Sequence, residues 1–155
     1  MEIQDVLKLM SPGRFLPDLA ATDKAGVLAE MVDALVADTP LRHKDTILEM
    51  LKSREALSST AVGPGVAFPH GRTLAVQELF IVVGRSRQGV DFDSVDGQPT
   101  HLFFMLIAPP QDAGSQYLHS LAVLTELMQD DDIRARLLEA DDYDSFCQVL
   151  LEAAS

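Results

Sequence analysis

Cysteine is nearly absent from this 155-residue chain. One residue, Cys147, cannot form an internal disulfide, which fits a reducing, cytoplasmic compartment. Basic residues are also scarce: Lys plus Arg is 12 against 24 Asp plus Glu, a formal charge of −12 and a sequence pI near 4.5. Such a chain repels phosphate backbones, so nucleic-acid binding is not expected, whereas a basic protein partner would be steered towards it. Long apolar runs are missing too. The longest, Leu102 to Ala108, suits a buried strand and is far too short for a bilayer, so no membrane insertion is expected. The opening Met1-Glu2-Ile3-Gln4-Asp5 has no basic stretch of the kind that starts a secretory signal.

What is present is ordinary globular material, 47% hydrophobic and 23% charged. The length suits one domain over residues 1–155. Val27, Leu28, Met31 and Leu35 recur at helical spacing behind Thr22, read as an N-cap, and Pro40 closes that helix. A second helix is expected over about Lys44 to Ser53. The texture then changes to a loop of small residues, Gly and Pro from Ser58 to Gly65. Short strands are expected at Val66 to Phe68 (stopped by Pro69-His70-Gly71), at Leu79 to Gly84 and at Gly89 to Phe92. The Asp96-Gly97 turn then leads into a buried strand from His101 to Ala108. Helices over about Ser115 to Gln129, Asp131 to Leu138 and Tyr143 to Ala153 complete the chain. Helices at both ends and strands between them mean a sheet covered by helices, in the α/β or α+β class.

The four histidines, His43, His70, His101 and His119, lack zinc-motif spacing, and one cysteine builds no thiolate site, so no metal is expected. Gly63-Pro64-Gly65 is not followed by Gly-Lys-Ser/Thr and is no Walker loop; a Gly-x-Ser-x-Gly elbow is absent. Cys147 reads as a small buried hydrophobe on the last helix. No cofactor is implied. His70 stands apart. It ends a short apolar strand, Pro69 restrains the backbone before it, and Arg54, Ser58, Ser59, Thr60 and Arg72 lie close in sequence. Cations, hydroxyls and loop N–H groups around one imidazole are what a phosphorylated histidine needs. On these residues alone, a plain surface histidine in a turn is the weightier reading.

The run Arg54-Glu55-Ala56-Leu57-Ser58-Ser59-Thr60-Ala61-Val62-Gly63-Pro64-Gly65-Val66-Ala67-Phe68-Pro69-His70 closely resembles the signature of the fructose/mannitol-type (type 2) enzyme IIA domains of the bacterial phosphoenolpyruvate-dependent sugar phosphotransferase system. That family reads Arg-Glu, two variable residues, Gly-Ser-Thr-Gly-Ile-Gly-x-Gly-Ile-Ala-Ile-Pro-His. The resemblance continues through Gly89-Val90-Asp91-Phe92, Asp96-Gly97-Gln98-Pro99 and the Leu102 to Pro109 strand into the helices. It implies a mixed central β-sheet flanked by helices. It implies a phosphocarrier that takes a phosphoryl group from the histidine of an HPr-type protein. His70 aligns with the phosphorylated residue, Arg54 with the family arginine, and Ser59 and Thr60 with its Ser-Thr pair. Sugar-transporting members pass the group on to a cysteine of a IIB domain. A stand-alone chain resembles the nitrogen-regulatory branch more, with regulatory target proteins as its output. A phosphorylation-incompetent interaction module is the alternative.

The family's second histidine falls on Tyr117, in Tyr117-Leu118-His119-Ser120-Leu121. His119 is two places late, and two residues turn a helix by roughly 200°, nearly to the opposite face. Tyr117 is therefore expected in the site and His119 outside it. Tyr117 can donate a hydrogen bond to a phosphoryl oxygen but supplies no positive charge. Losing ~2 kcal/mol from the transition state would slow transfer about 30-fold, tolerable in a regulatory switch. Ser58 and Ala61 replace family glycines, and Pro64 removes one loop N–H. Arg72 adds a cation beside the site, and Leu57 and Phe68 are the expected apolar docking ring. His101 reads as structural or a rim residue, and His43 as solvated.

Overall fold

The computed structural model describes residues 1–154. Its centre is the buried strand foreseen in the sequence. β5 (Thr100–Ala108) runs antiparallel to β4 (Phe80–Val90). β1 (Phe15–Leu16) lies parallel to β4 on its outer side. The other edge of β5 is shared end to end by two very short parallel strands, β2 (Val66–Ala67) and β3 (His70–Arg72). The result is a five-stranded mixed sheet.

Both faces of that sheet are covered, which is why β5 reads as a continuous apolar run rather than an alternating one. Leu102, Phe104, Leu106 and Ala108 point to one side. There they pack with α1 (Ile3–Leu7), α4 (Gln116–Leu127), α5 (Asp131–Glu139) and α6 (Tyr143–Ala153). Phe103, Met105 and Ile107 point to the other, against α2 (Lys24–Asp38) and α3 (Lys44–Leu57). The apolar stripe expected for α2 is the one buried: Val27, Leu28, Met31 and Leu35. Arg85 of β4 is 1% exposed and donates to the carbonyls of Pro17, Leu137 and Ala140. It thereby satisfies carbonyls at the C-terminal end of α5 that no helical N–H can reach.

Several sequence expectations are corrected. Asp23, not Thr22, caps α2, its carboxylate accepting from the Gly26 N–H at 2.7 Å. α3 runs on to Leu57 rather than stopping at Ser53, so Arg54 sits in its last turn. Of the strand expected at Gly89 to Phe92, Gly89 and Val90 are the end of β4, which continues past Gly84 with a register shift between Arg85 and Val90, and Asp91 makes an isolated bridge to Asp23. Gly89 makes that shift possible: its φ is +86°, and a Cβ there would lie 2.8 Å from the His101 ring. The short strand at Val66 does stop before Pro69, as β2, but a further strand not expected there, β3, begins at His70 itself. α1 and β1 were not anticipated, being shorter than periodicity can reveal.

Phe104 is fully buried and touches both Phe68 (5.8 Å, stacked) and Phe146 (6.3 Å). Phe104→Ala is expected to lower stability in urea denaturation by about 3–5 kcal/mol.

Candidate functional site

Three residues of β3 set the geometry. Successive side chains of a strand alternate in direction. His70 and Arg72 therefore face α4, and Gly71 faces α3. Gly71 has no side chain because α3 crosses closely: a Cβ would sit 2.1 Å from the Met50 sulfur. That close approach draws the end of α3, and with it Arg54, towards β3.

His70 is half-buried. Its Nδ1 lies 2.5 Å from the carbonyl oxygen of Phe68. A carbonyl oxygen only accepts, so Nδ1 carries the proton and Nε2 keeps its lone pair in the neutral ring. Burial pushes the His70 pKa below its ordinary value, and the positive charge of Arg54 adds to the effect. The Phe68 carbonyl and the Glu55 carboxylate act in the opposite direction without reversing it. The ring is thus neutral, in one tautomer, at neutral pH.

Tyr117 lies against it, Arg54 acts on it by its charge, and Arg72 lies over the Tyr117 ring. Arg72 lies over the Tyr117 ring at 4.7 Å and donates to the Pro109 carbonyl. Tyr117 is 5% exposed, its ring centroid 5.9 Å from that of His70. Burial raises its pKa, so the phenol keeps its proton. Tyr117 is held at the start of α4 by its N–H, which donates to the Asp112 carboxylate at 2.7 Å. His119 is exposed. Arg54 donates to the Ser58 carbonyl at 2.9 Å. Neither Arg54 nor Arg72 pairs with a carboxylate among the described residues. In a chain of charge −12, Arg54 and Arg72 are thus cations whose charge no carboxylate partner among the described residues cancels.

The hydroxyls have other duties. Ser59 donates to the Phe92 carbonyl at 2.8 Å and accepts from the Ala61 N–H. Thr60 donates both its hydroxyl and its N–H to the carboxylate of Glu55. Both side chains therefore shape the 58–65 loop. Glu55 was not singled out from the sequence, although a signal was there. Ile47, Leu51 and Glu55 follow one another at i+4 on α3, so the carboxylate continues the buried stripe. Phe68, expected on a docking ring, is instead 5% exposed and belongs to the core. Leu57 is 83% exposed. His101 Nδ1 pairs with the Ser86 carbonyl, and His43 stands exposed at the start of α3. No cluster of three or more metal-ligating side chains occurs among the described residues. Among them, no helix is long and apolar enough to cross a membrane.

Residues 8–153 match the family model described as "Phosphoenolpyruvate-dependent sugar phosphotransferase system, EIIA 2". The chain is 36% identical over 145 residues to a nitrogen regulatory protein of Bradyrhizobium diazoefficiens, covering 94% of both. It is 35% identical over 145 residues to the fructose-specific EIIABC component of Bacillus subtilis; that match takes in 94% of this chain but only 23% of the larger protein. Among solved structures, the nitrogen regulatory protein IIA-Ntr of Neisseria meningitidis superposes with a TM-score of 0.80 at 29% identity, over 92% of this chain and 97% of that one. The mannitol IIA of Escherichia coli shares the fold, with a TM-score of 0.76 at 19% identity over 91% of this chain and 98% of that one. The chain belongs to the EIIA 2 family of the phosphoenolpyruvate-dependent sugar phosphotransferase system.

The charge balance at His70 is open to direct test. Followed by NMR, the His70 midpoint should lie below the ordinary imidazole value of about 6.5. Arg54→Ala should move it upward, because a charge that disfavours the protonated ring has been removed. A midpoint unchanged by the substitution would contradict this account.

Proposed function

We propose that Nε2 of His70 accepts a phosphoryl group from an HPr-type phosphocarrier in the cytoplasm and that the domain over 1–155 works as a regulatory phosphocarrier. The observation that carries this reading is the Phe68 carbonyl on Nδ1, which leaves Nε2 as the nucleophile beside Arg54 and Arg72. In the transfer, the Nε2 lone pair forms a bond to phosphorus while the donor's P–N bond breaks and its electron pair returns to the donor imidazole. The His70 ring becomes cationic as this happens. Its charge is shared through the Nδ1 proton with the Phe68 carbonyl, and that hydrogen bond strengthens as charge develops. The arginines supply positive charge for the phosphoryl oxygens, and positioning does the rest. Ser59 and Thr60 support the site by fixing the loop that carries Phe68. Tyr117 closes one side of the ring and holds Arg72 against its face.

The regulatory role draws on the nitrogen regulatory protein of Bradyrhizobium diazoefficiens, 36% identical over 145 residues. A phosphoryl group adds negative charge and acceptor oxygens at the surface, enough to switch binding of a target protein. Exposed Leu57, beside Arg54, belongs to that docking surface. A sugar-transport role, with onward transfer to a IIB cysteine, is the second reading. It draws on the mannitol IIA of Escherichia coli, which has been solved in complex with phosphorylated enzyme IIB mannitol.

Incubation with phosphoenolpyruvate, enzyme I and a cognate HPr-type carrier should add one phosphoryl mass at neutral pH, and His70→Ala should abolish it. No adduct with any cognate donor would leave the phosphorylation-incompetent interaction module. Arg54→Ala should slow transfer about 30-fold, the equivalent of ~2 kcal/mol from a hydrogen bond to a charged group. The transfer rate should stay level across neutral pH. It should fall only as pH drops through the depressed His70 midpoint, where protonation consumes the Nε2 lone pair.

A further inference from the structure

Glu55 is 7% exposed, and a carboxylate in that position is costly unless it is paired and hydrogen-bonded. It is both. Lys24, brought from the first turn of α2, reaches it at 2.9 Å. Both carboxylate oxygens also accept from Thr60, one from the N–H at 3.2 Å and one from the hydroxyl. An apolar residue would cover the same core position without needing a lysine from another helix, so the arrangement calls for a purpose beyond burial.

The contacts continue from Thr60 towards the reacting ring. The Thr60 carbonyl accepts from the Phe68 N–H at 3.1 Å, and Ala61 bridges Ala67 beside it. The Phe68 carbonyl accepts from Nδ1 of His70. Phe68 precedes Pro69, and a residue before proline is confined to extended backbone. Its carbonyl direction therefore follows once its N–H is anchored. Beyond it, the Pro69 carbonyl is tied to the Leu106 N–H at 2.9 Å. The peptide that selects the His70 tautomer is thus fixed on one side by β5 and on the other by Thr60, whose place is set by Glu55.

We propose that Glu55 is a positioning residue for phosphoryl transfer, acting through Thr60 and Phe68 to hold the His70 ring in its Nδ1–H tautomer, with Lys24 paired to its carboxylate. This rests on His70 being the phosphoryl acceptor. Glu55 touches neither the ring nor the phosphoryl group.

The test uses Glu55→Gln, Thr60→Val and Thr60→Ser in the full chain, with ring-nitrogen NMR of the histidines and transfer rates from the phosphorylated HPr-type carrier. Glu55→Gln and Thr60→Val should each reduce the Nδ1–H fraction of His70 and slow transfer about tenfold. Thr60→Ser, which keeps the hydroxyl, should restore both. His101, whose Nδ1 pairs with the distant Ser86 carbonyl, should not change in any variant and reports that the fold is intact. Should Glu55→Gln fail to fold, Thr60→Val and Thr60→Ser decide. Folded variants with wild-type ring signals and rates would overturn the proposal while leaving the acceptor role standing. A wild-type chain that takes no phosphoryl group would instead end the acceptor role, and ring NMR alone would then decide whether Glu55 sets the tautomer.

Discussion

The hydrogen bond between Nδ1 of His70 and the Phe68 carbonyl joins the fold to the chemistry proposed for the ring. A carbonyl has no proton to give, so the contact chooses the tautomer without any dedicated side chain. The choice works only if the backbone two residues earlier is rigid. β2 and β3 lie end to end along β5, and the Phe68-Pro69 step between them is held by backbone bonds on both sides. Beneath it, Phe68 stacks on Phe104 in the larger core. The packing energy of the sheet is in this way spent on orienting one imidazole.

Electrostatics divides between the site and the rest of the molecule. The chain carries twelve more acidic than basic side chains. A uniformly negative surface would repel a phosphorylated donor. Arg54 and Arg72 instead make contacts only to carbonyls and an aromatic face, so their charge is not cancelled by a neighbouring carboxylate among the described residues. At physiological salt, screening over about 8 Å separates this local positive field from the distant acidic surface. The remaining negative charge is then free to favour basic partner surfaces at longer range, at low ionic strength above all.

The sequence was legible where its signals were long or chemically unusual. The periodic stripe of α2 and the apolar run of β5 gave the layers, and the Arg54-to-His70 run gave the family. Elements of two to five residues, α1, β1 and β3, carry too few side chains for periodicity to speak. Asp23 and Thr22 are both good caps, and only the Gly26 N–H decides between them. Ser59 and Thr60 showed that hydroxyls were present but not where they point, since short polar side chains bond to their own loops as readily as to a ligand. Phe68 reads as available to a partner in the sequence because nothing local reveals that Phe104 lies against it. Glu55 was hidden for the opposite reason. A charged residue on a helix is normally solvated, and its burial becomes sensible only once Lys24 and Thr60 are seen around it.

The division of one sheet edge between β2 and β3 has a further consequence. An uninterrupted edge strand exposes a row of free N–H and C=O groups on which another chain can pair. Here that edge is two residues, a break at Phe68-Pro69 and three residues, and Pro69 has no N–H to offer. The opposite edge, β1, is only two residues long. The same interruption that aims the His70 ring therefore leaves the β2 and β3 side of the sheet without a strand long enough to template aggregation.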